Sequence, residues 1–276
     1  MSSSDGRALA RAVLKRFDVL SAIAGDRTDK RAVSEEAGVS RSTTRRAGEA
    51  LEEAGLVERT SGYQLTPLGQ FALEESRRLW DVLDPVADEP ELVDALPRAA
   101  LTPELLRGAE VSTIEEGEPY GLLREFEREV TCADRIENVT ETVTSVRQEL
   151  LSNILAEGGV EIDVVIERET FVELARQRPQ FVRDVGATDA VESHVLADPP
   201  APGLTVLRQD GDWRVMVAVH DELGSIVGLL CNDRPAAVEW ARETFADCRA
   251  AASPRSAVVA DVLGDDENGD GSTGEE

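Results

Sequence analysis

Residues 32–57 read AVSEEAGVSRSTTRRAGEALEEAGLV, and the placing of their small and polar residues predicts two helices joined by a tight turn. Asp29, just upstream, can cap a short helix over Lys30–Ala37. Gly38 supplies the left-handed residue of the turn, and Val39 points into the core. Ser40 caps a second helix that runs to about Ala54, with Gly55 at its end. This is the helix-turn-helix layout. Upstream, Leu9, Val13, Leu14, Phe17, Leu20 and Ile23 recur at helical spacing, which predicts one amphipathic helix over roughly 5–24, ended by Gly25. Downstream, residues 56–60 and 63–66 flank Ser61-Gly62, a short hairpin with glycine in its turn. Thr66-Pro67 then opens another helix, threonine capping and proline at the first helical position. Three helices and a small hairpin make a winged helix-turn-helix, expected over residues 1–84.

The helix after the turn has two faces. Thr44, Ala47 and Leu51 continue the apolar stripe from Val39 and should be buried. Ser40, Arg41, Ser42, Thr43, Arg45 and Arg46 are left toward solvent at the helix start, the part of a recognition helix that enters the major groove. Arginine there can read guanine, and serine or threonine can bond bases or phosphates. Arg59 and Tyr63 sit on the wing, within reach of backbone or minor groove. The structural alternative is that Arg41, Arg45 and Arg46 only pair with nearby glutamates, for example Arg45 with Glu49 one helical turn on.

Charge separates this segment from the rest. The 276 residues carry 55 Asp/Glu against 29 Lys/Arg, a net of −26, and all the bases but Lys15 and Lys30 are arginine. Residues 1–66 hold 11 bases and 10 acids, a net of +1; residues 67–276 hold 18 bases and 45 acids, a net of −27. A segment kept near neutral inside so acidic a chain is expected to meet a polyanion. The acidity itself fits a protein adapted to very high intracellular salt, where screening removes most self-repulsion. The 41 % apolar content, periodically placed, excludes a wholly disordered chain. No apolar run is long enough to span a bilayer, and no signal peptide is read at the start. Cys132, Cys231 and Cys248 are too few and too scattered for a disulfide framework or a zinc module, and fit a reducing cytoplasm.

Beyond a helix over Pro67–Leu83 and a break at residues 85–90, helices and strands alternate, with the best strand at residues 160–166 and a closing helix at residues 236–251. The pattern argues for an α/β or α+β sheet domain over 95–252. Residues 264–276 are Gly, Ser, Thr, Asn, Asp and Glu, an acidic tail expected to be disordered.

Two resemblances sharpen this. GVSRSTTRRAGEALEEAGLVER followed by GYQLTPLG resembles the winged-helix DNA-binding domain of archaeal transcriptional regulators, over about residues 8–75. The order EGEPYGLLREF, ADRIENVTETV, GGVEIDVVI and AAVEWARETF resembles the middle domain of the methanogenesis regulatory protein FilR1 family, over roughly 95–252. Together they imply a haloarchaeal, cytoplasmic regulator, α+β in class, with an N-terminal reading head and a C-terminal α/β regulatory domain. Its expected partners are double-stranded DNA, a second copy of the chain and an effector ligand left unidentified. No cofactor or metal is expected, and no membrane. The strand-then-helix pattern is also similar to phospholipase-D-like folds, but His194 and His220 lack that family's His-x-Lys spacing and no lysine follows Lys30, so no enzyme is expected. His220-Asp221-Glu222 reads as a solvated turn rather than a metal site, and Cys231 and Cys248 as buried structural thiols. Trp213, Trp240, Tyr120 and Phe245 either line a pocket or fill the core. A rival from another class keeps the winged helix and the acidic domain as protein-docking surfaces.

Overall fold

A computed structural model describes residues 3–25, 29–60, 62–114, 120–201, 203–221 and 225–264. The chain folds as α+β in two units, Met1–Val82 and Leu83–Glu276. Residues 265–276, most of the expected acidic tail, and Ser61, expected in the hairpin turn, lie outside the described residues.

In the first unit the expected single helix is two, α1 (Ser3–Leu14) and α2 (Phe17–Ile23). Arg16 leaves helical geometry at φ −129°, and its N–H bonds the Val13 carbonyl three residues back. The break turns the apolar stripe: Val13, Val19, Leu20 and Ile23 are buried, while Leu14 faces solvent. Next come α3 (Lys30–Glu36), α4 (Arg41–Glu53), the hairpin β1 (Val57–Arg59) and β2 (Tyr63–Leu65), and α5 (Pro67–Leu83). Asp29 Oδ1 accepts from the N–H groups of Arg31 and Ala32, at 2.8 and 3.1 Å. The turn between α3 and α4 rests on Gly38 at φ 64°. Thr66 Oγ1 accepts from Gly69 N–H at 3.0 Å and so starts α5. One core holds these pieces together, with Leu20, Val33, Leu51, Leu56, Tyr63 and Leu73 among its buried members. Trp80 has a local partner that its sequence position does not suggest, since its ring meets Phe17 edge-on at 5.9 Å.

The second unit is built on an eight-stranded sheet. Its elements are α6 (Pro90–Ala95), α7 (Pro103–Leu106), β3 (Glu110–Thr113), α8 (Gly121–Thr131), β4 (Arg135–Thr140), α9 (Ser145–Glu157) and β5 (Glu161–Glu167). They continue as α10 (Arg168–Gln177), α11 (Pro179–Gly186), β6 (Val191–Leu196), β7 (Leu204–Gln209), β8 (Asp212–His220) and β9 (Ile226–Asn232). The chain closes on α12 (Pro235–Ala251), β10 (Ser253–Pro254) and α13 (Arg255–Gly264). The strand order is β10-β6-β5-β4-β7-β8-β9-β3. Strands β4, β5 and β6 run parallel, and the remaining pairings are antiparallel.

Period-two alternation sorts the parallel strands onto two faces. Asn138 and Thr140 of β4, Ile162 and Val164 of β5, and Val191 and Ser193 of β6 line a cavity together with side chains of α8 to α11. The neighbouring residues Glu137, Asp163, Glu192 and His194 instead meet arginines of α12: Arg242 reaches Glu137, and Arg249 reaches Asp163, Glu192 and His194. The strand β10 and helix α13, beyond residue 252, belong to no element expected from sequence. They add an edge strand to β6 and bury Val258 with Phe171, Leu174 and Val182.

Candidate nucleic-acid interface

The candidate surface is assembled from the start of α4. Ser40 Oγ accepts from Thr43 N–H at 3.2 Å and lies 2.9 Å from both the Ser42 and the Thr43 hydroxyls. The cap therefore satisfies one of the unpaired N–H groups of the first turn and gathers three exposed hydroxyls beside it. Thr44, Ala47 and Leu51 are buried as their spacing predicts, and Gly48 joins them. That orientation leaves Arg41, Ser42, Thr43, Arg45 and Arg46 exposed.

The three arginines of this helix are not equivalent. Arg45 Nη1 donates to Glu49 at 2.8 Å and 3.1 Å, so its charge is already engaged within the helix. Arg46 donates only to its own helix, Nε to the Ser42 carbonyl at 3.4 Å. Arg41 makes no hydrogen bond or ion pair among the described residues. Among the described residues two of the three cations are thus free of carboxylates, in a chain where acids outnumber bases nearly two to one.

The wing departs from expectation. Tyr63 does not face outward: it is 1 % exposed and belongs to the core of the unit. Gly48 explains the fit, because a Cβ there would stand 2.3 Å from the Tyr63 ring. The tyrosine occupies the space that glycine leaves on the inner face of α4, so a contact from its ring to DNA is ruled out by burial. Arg59 stays exposed, but it is held in place. Its Nη2 donates to Tyr63 Oη at 3.3 Å and lies 3.5 Å from Glu52, and its guanidinium stands 5.3 Å from the Tyr63 ring centre. These partners, the tyrosine hydroxyl first, raise the Arg59 pKa further.

Other residues singled out from sequence fall elsewhere. His220 is half-buried rather than solvated: its Nε2 lies 2.8 Å from Arg147 Nη2, and burial, helped by that cation, pulls its pKa down to about 4. Glu222 lies outside the described residues. His194, Asp163 and Glu192 bring one ligand-type atom each within 4.8 Å of one another, an arrangement the spacing of the chain hides. Arg249 sits among them, its Nε 2.8 Å from Asp163 and its Nη2 2.6 Å from Glu192, so a protein cation already answers these acids. Cys231 and Cys248 are buried, and burial raises both thiols, Cys231 to about 12; Cys132 is exposed. Trp213 stacks under Arg242 at 4.3 Å and Arg208 at 5.6 Å. Neither it nor Trp240, Tyr120 or Phe245 lines the cavity beneath α9, whose rings are Phe126, Phe171 and Phe181.

Comparison with known families divides the chain along the same lines. Residues 4–87 match the model of the HVO_A0261 N-terminal domain, and residues 119–251 match that of the methanogenesis regulatory protein FilR1, middle domain. No curated protein matches the chain. Among solved structures, TrmBL2, described as an archaeal chromatin protein with a novel mode of DNA binding, is similar at 13 % identity and a TM-score of 0.40, over 91 % of this chain and 100 % of that one. NucT from Helicobacter pylori is similar at 8 % identity and 0.41, over 53 % of this chain and 98 % of that one. Nuc from Salmonella typhimurium, a phospholipase D family member, is similar at 12 % identity and 0.41, over 53 % of this chain and 96 % of that one. These scores are too low for a shared fold or function to follow.

Proposed function

We propose that the protein is a DNA-binding transcription regulator that acts as a homodimer in the cytoplasm of a salt-adapted archaeon. The observation that carries the reading is the pair Arg41 and Arg46: exposed, free of carboxylates, and placed at the start of the second helix of a helix-turn-helix in the one near-neutral segment of the chain. A polyanion is the partner that such a surface attracts. The FilR1 model match over residues 119–251 supports a regulatory role for the second unit, with no catalytic step assigned. In this reading Arg41, Ser42, Thr43 and Arg46 face the major groove, and Ser40 positions them. Arg45 contributes only if it leaves Glu49, and Arg59 approaches a phosphate from the wing.

Dimerisation is assigned to α5, where Phe71 is 61 % exposed and Leu68 and Leu79 are exposed beside it. A gel shift against genomic fragments tests the reading. The parent should retard a subset of fragments as a dimer. The double variant Arg41→Ala/Arg46→Ala, folded by circular dichroism, should retard none at the same concentration. Equal retardation by the variant would move the weight to the protein-docking alternative. Salt adaptation is tested by dilution from molar KCl to about 0.1 M, which lengthens the Debye length to about 10 Å and should loosen the acidic second unit; unchanged ellipticity would contradict it.

A further inference from the structure

The cavity under α9 is lined by 24 residues, and not one is Asp or Glu, although the chain carries 55 of them. Its walls are aliphatic and aromatic, with Phe126, Leu151, Ile162, Phe171 and Phe181 among them, and its volume is about 150 Å³. Two arginines, Arg147 and Arg255, stand in that wall. Neither has a carboxylate within ion-pair distance among the described residues.

Arg147 is the more telling. Its guanidinium stands 5.1 Å from the centre of the Phe126 ring. Nη1 donates to the hydroxyls of Thr140 and Thr142, each at 3.2 Å, and to the Thr142 carbonyl at 3.3 Å. Nη2 donates to His220 Nε2 at 2.8 Å, which requires that ring nitrogen to be unprotonated. Every one of these acceptors is neutral. Burial lowers Arg147 to about 10, so it remains a cation at neutral pH. Its Nε–H and one Nη2–H have no acceptor among the described residues. Arg255 donates to the carbonyls of Val182 and Gly186, at 2.9 and 3.1 Å, again without a carboxylate. Even a half-buried charge with no counter-charge is costly against apolar walls. A halide or a water can meet the cation but not the apolar walls. An anion that carries its own apolar body meets both.

We propose that this cavity binds a small amphipathic carboxylate, its head on Arg147 between Thr140 and Thr142 and its apolar body among the phenylalanine and leucine side chains. A cavity of this size takes a body of about one benzene ring, or a short acyl chain. The inference concerns the second unit and does not depend on the reading of DNA by the first.

Titration calorimetry on the full chain at fixed ionic strength tests it, with benzoate and hexanoate as probes and benzyl alcohol and hexanol as their neutral counterparts. At least one carboxylate should bind about tenfold or more tightly than its neutral counterpart, the expected worth of charge-assisted hydrogen bonds. Arg147→Gln should erase that preference. Leu151→Phe, which fills the cavity and keeps the cation, should weaken carboxylate and alcohol alike; it serves as the second arm if Arg147→Gln melts below the parent. Equal binding of acid and alcohol, no binding of either carboxylate, or carboxylate binding untouched by both substitutions would each overturn the proposal.

Discussion

Arg41 and Arg46 on α4, and Arg147 and Arg255 in the cavity wall, all lack carboxylate partners among the described residues, but in different surroundings. The first pair is solvated, so its isolation costs nothing and leaves two positive charges for a large anion that arrives from solution. The second pair is half-buried against aliphatic and aromatic side chains, where a ligand that enters the cavity can supply the missing charge. On the other face of the same sheet the acids are answered, Asp163 and Glu192 by Arg249, and Glu137 by Arg242. The contrast teaches that an arginine's role here is set by what lies beside it rather than by its count in the chain. In an acidic protein the informative arginine is the one left without an acid.

If the two regions are independent, they should fail separately. Leu51 is fully buried at the centre of the first unit, and Leu51→Ala should destabilise that unit by about 2–5 kcal/mol. DNA binding should fall with it, while carboxylate binding by the second unit persists; loss of both in one calorimetric transition would break the separation.

A smaller effect comes from His220. Its folded pKa, about 4, lies below the ordinary histidine value of 6.5, held there by burial first and the Arg147 charge second, against a smaller opposing pull from Asp221. The unfolded chain therefore takes up a proton that the folded chain refuses. Stability is fully present above about 6.5 and is lost as pH falls toward 4. The loss should be on the order of 2–3 kcal/mol and confined to the second unit. Urea melts of the parent and of His220→Gln across this range check it, and identical pH dependence in the two would count against the assignment.

The smallest effect is expected at Arg45. Its pair with Glu49 is exposed and one helical turn apart, so Arg45→Ala should change stability by about 0.2–0.5 kcal/mol. DNA affinity should change less than in Arg41→Ala or Arg46→Ala. A loss equal to theirs, in a gel shift under the same conditions, would show that Arg45 leaves Glu49 on binding and would blur the line between paired and free arginines.

Much of the first unit could be read from sequence because its signals are local. Asp29, Gly38, Ser40, Thr66 and Pro67 are caps and turns whose chemistry acts within four residues, and the stripe Thr44–Ala47–Leu51 fixes which side of α4 is wet. The break at Arg16 was hidden because Leu14 and Val19 are both apolar, and only packing decides which one turns inward. Tyr63 was misplaced for a similar reason: its burial depends on Gly48, fifteen positions away, lacking a side chain. The cavity needed tertiary structure outright, since its lining runs from Phe126 to Arg255 across five helices and four strands. One local sign did exist. Arg147 has no Asp or Glu three or four residues to either side, in a chain one-fifth acidic.

The reading of α4 as the DNA-contacting helix meets its sharpest check in the salt dependence of binding to one retarded fragment, measured for the parent and for Arg41→Ala/Arg46→Ala. Each phosphate contact contributes about 0.9 to the slope of log affinity against log salt. If both arginines meet phosphates, the slope should flatten by about two units. If one reads a base, it should flatten by about one, with relaxed sequence preference at one position. An unchanged slope and unchanged affinity in a folded double variant would contradict the assignment of α4 as the reading helix.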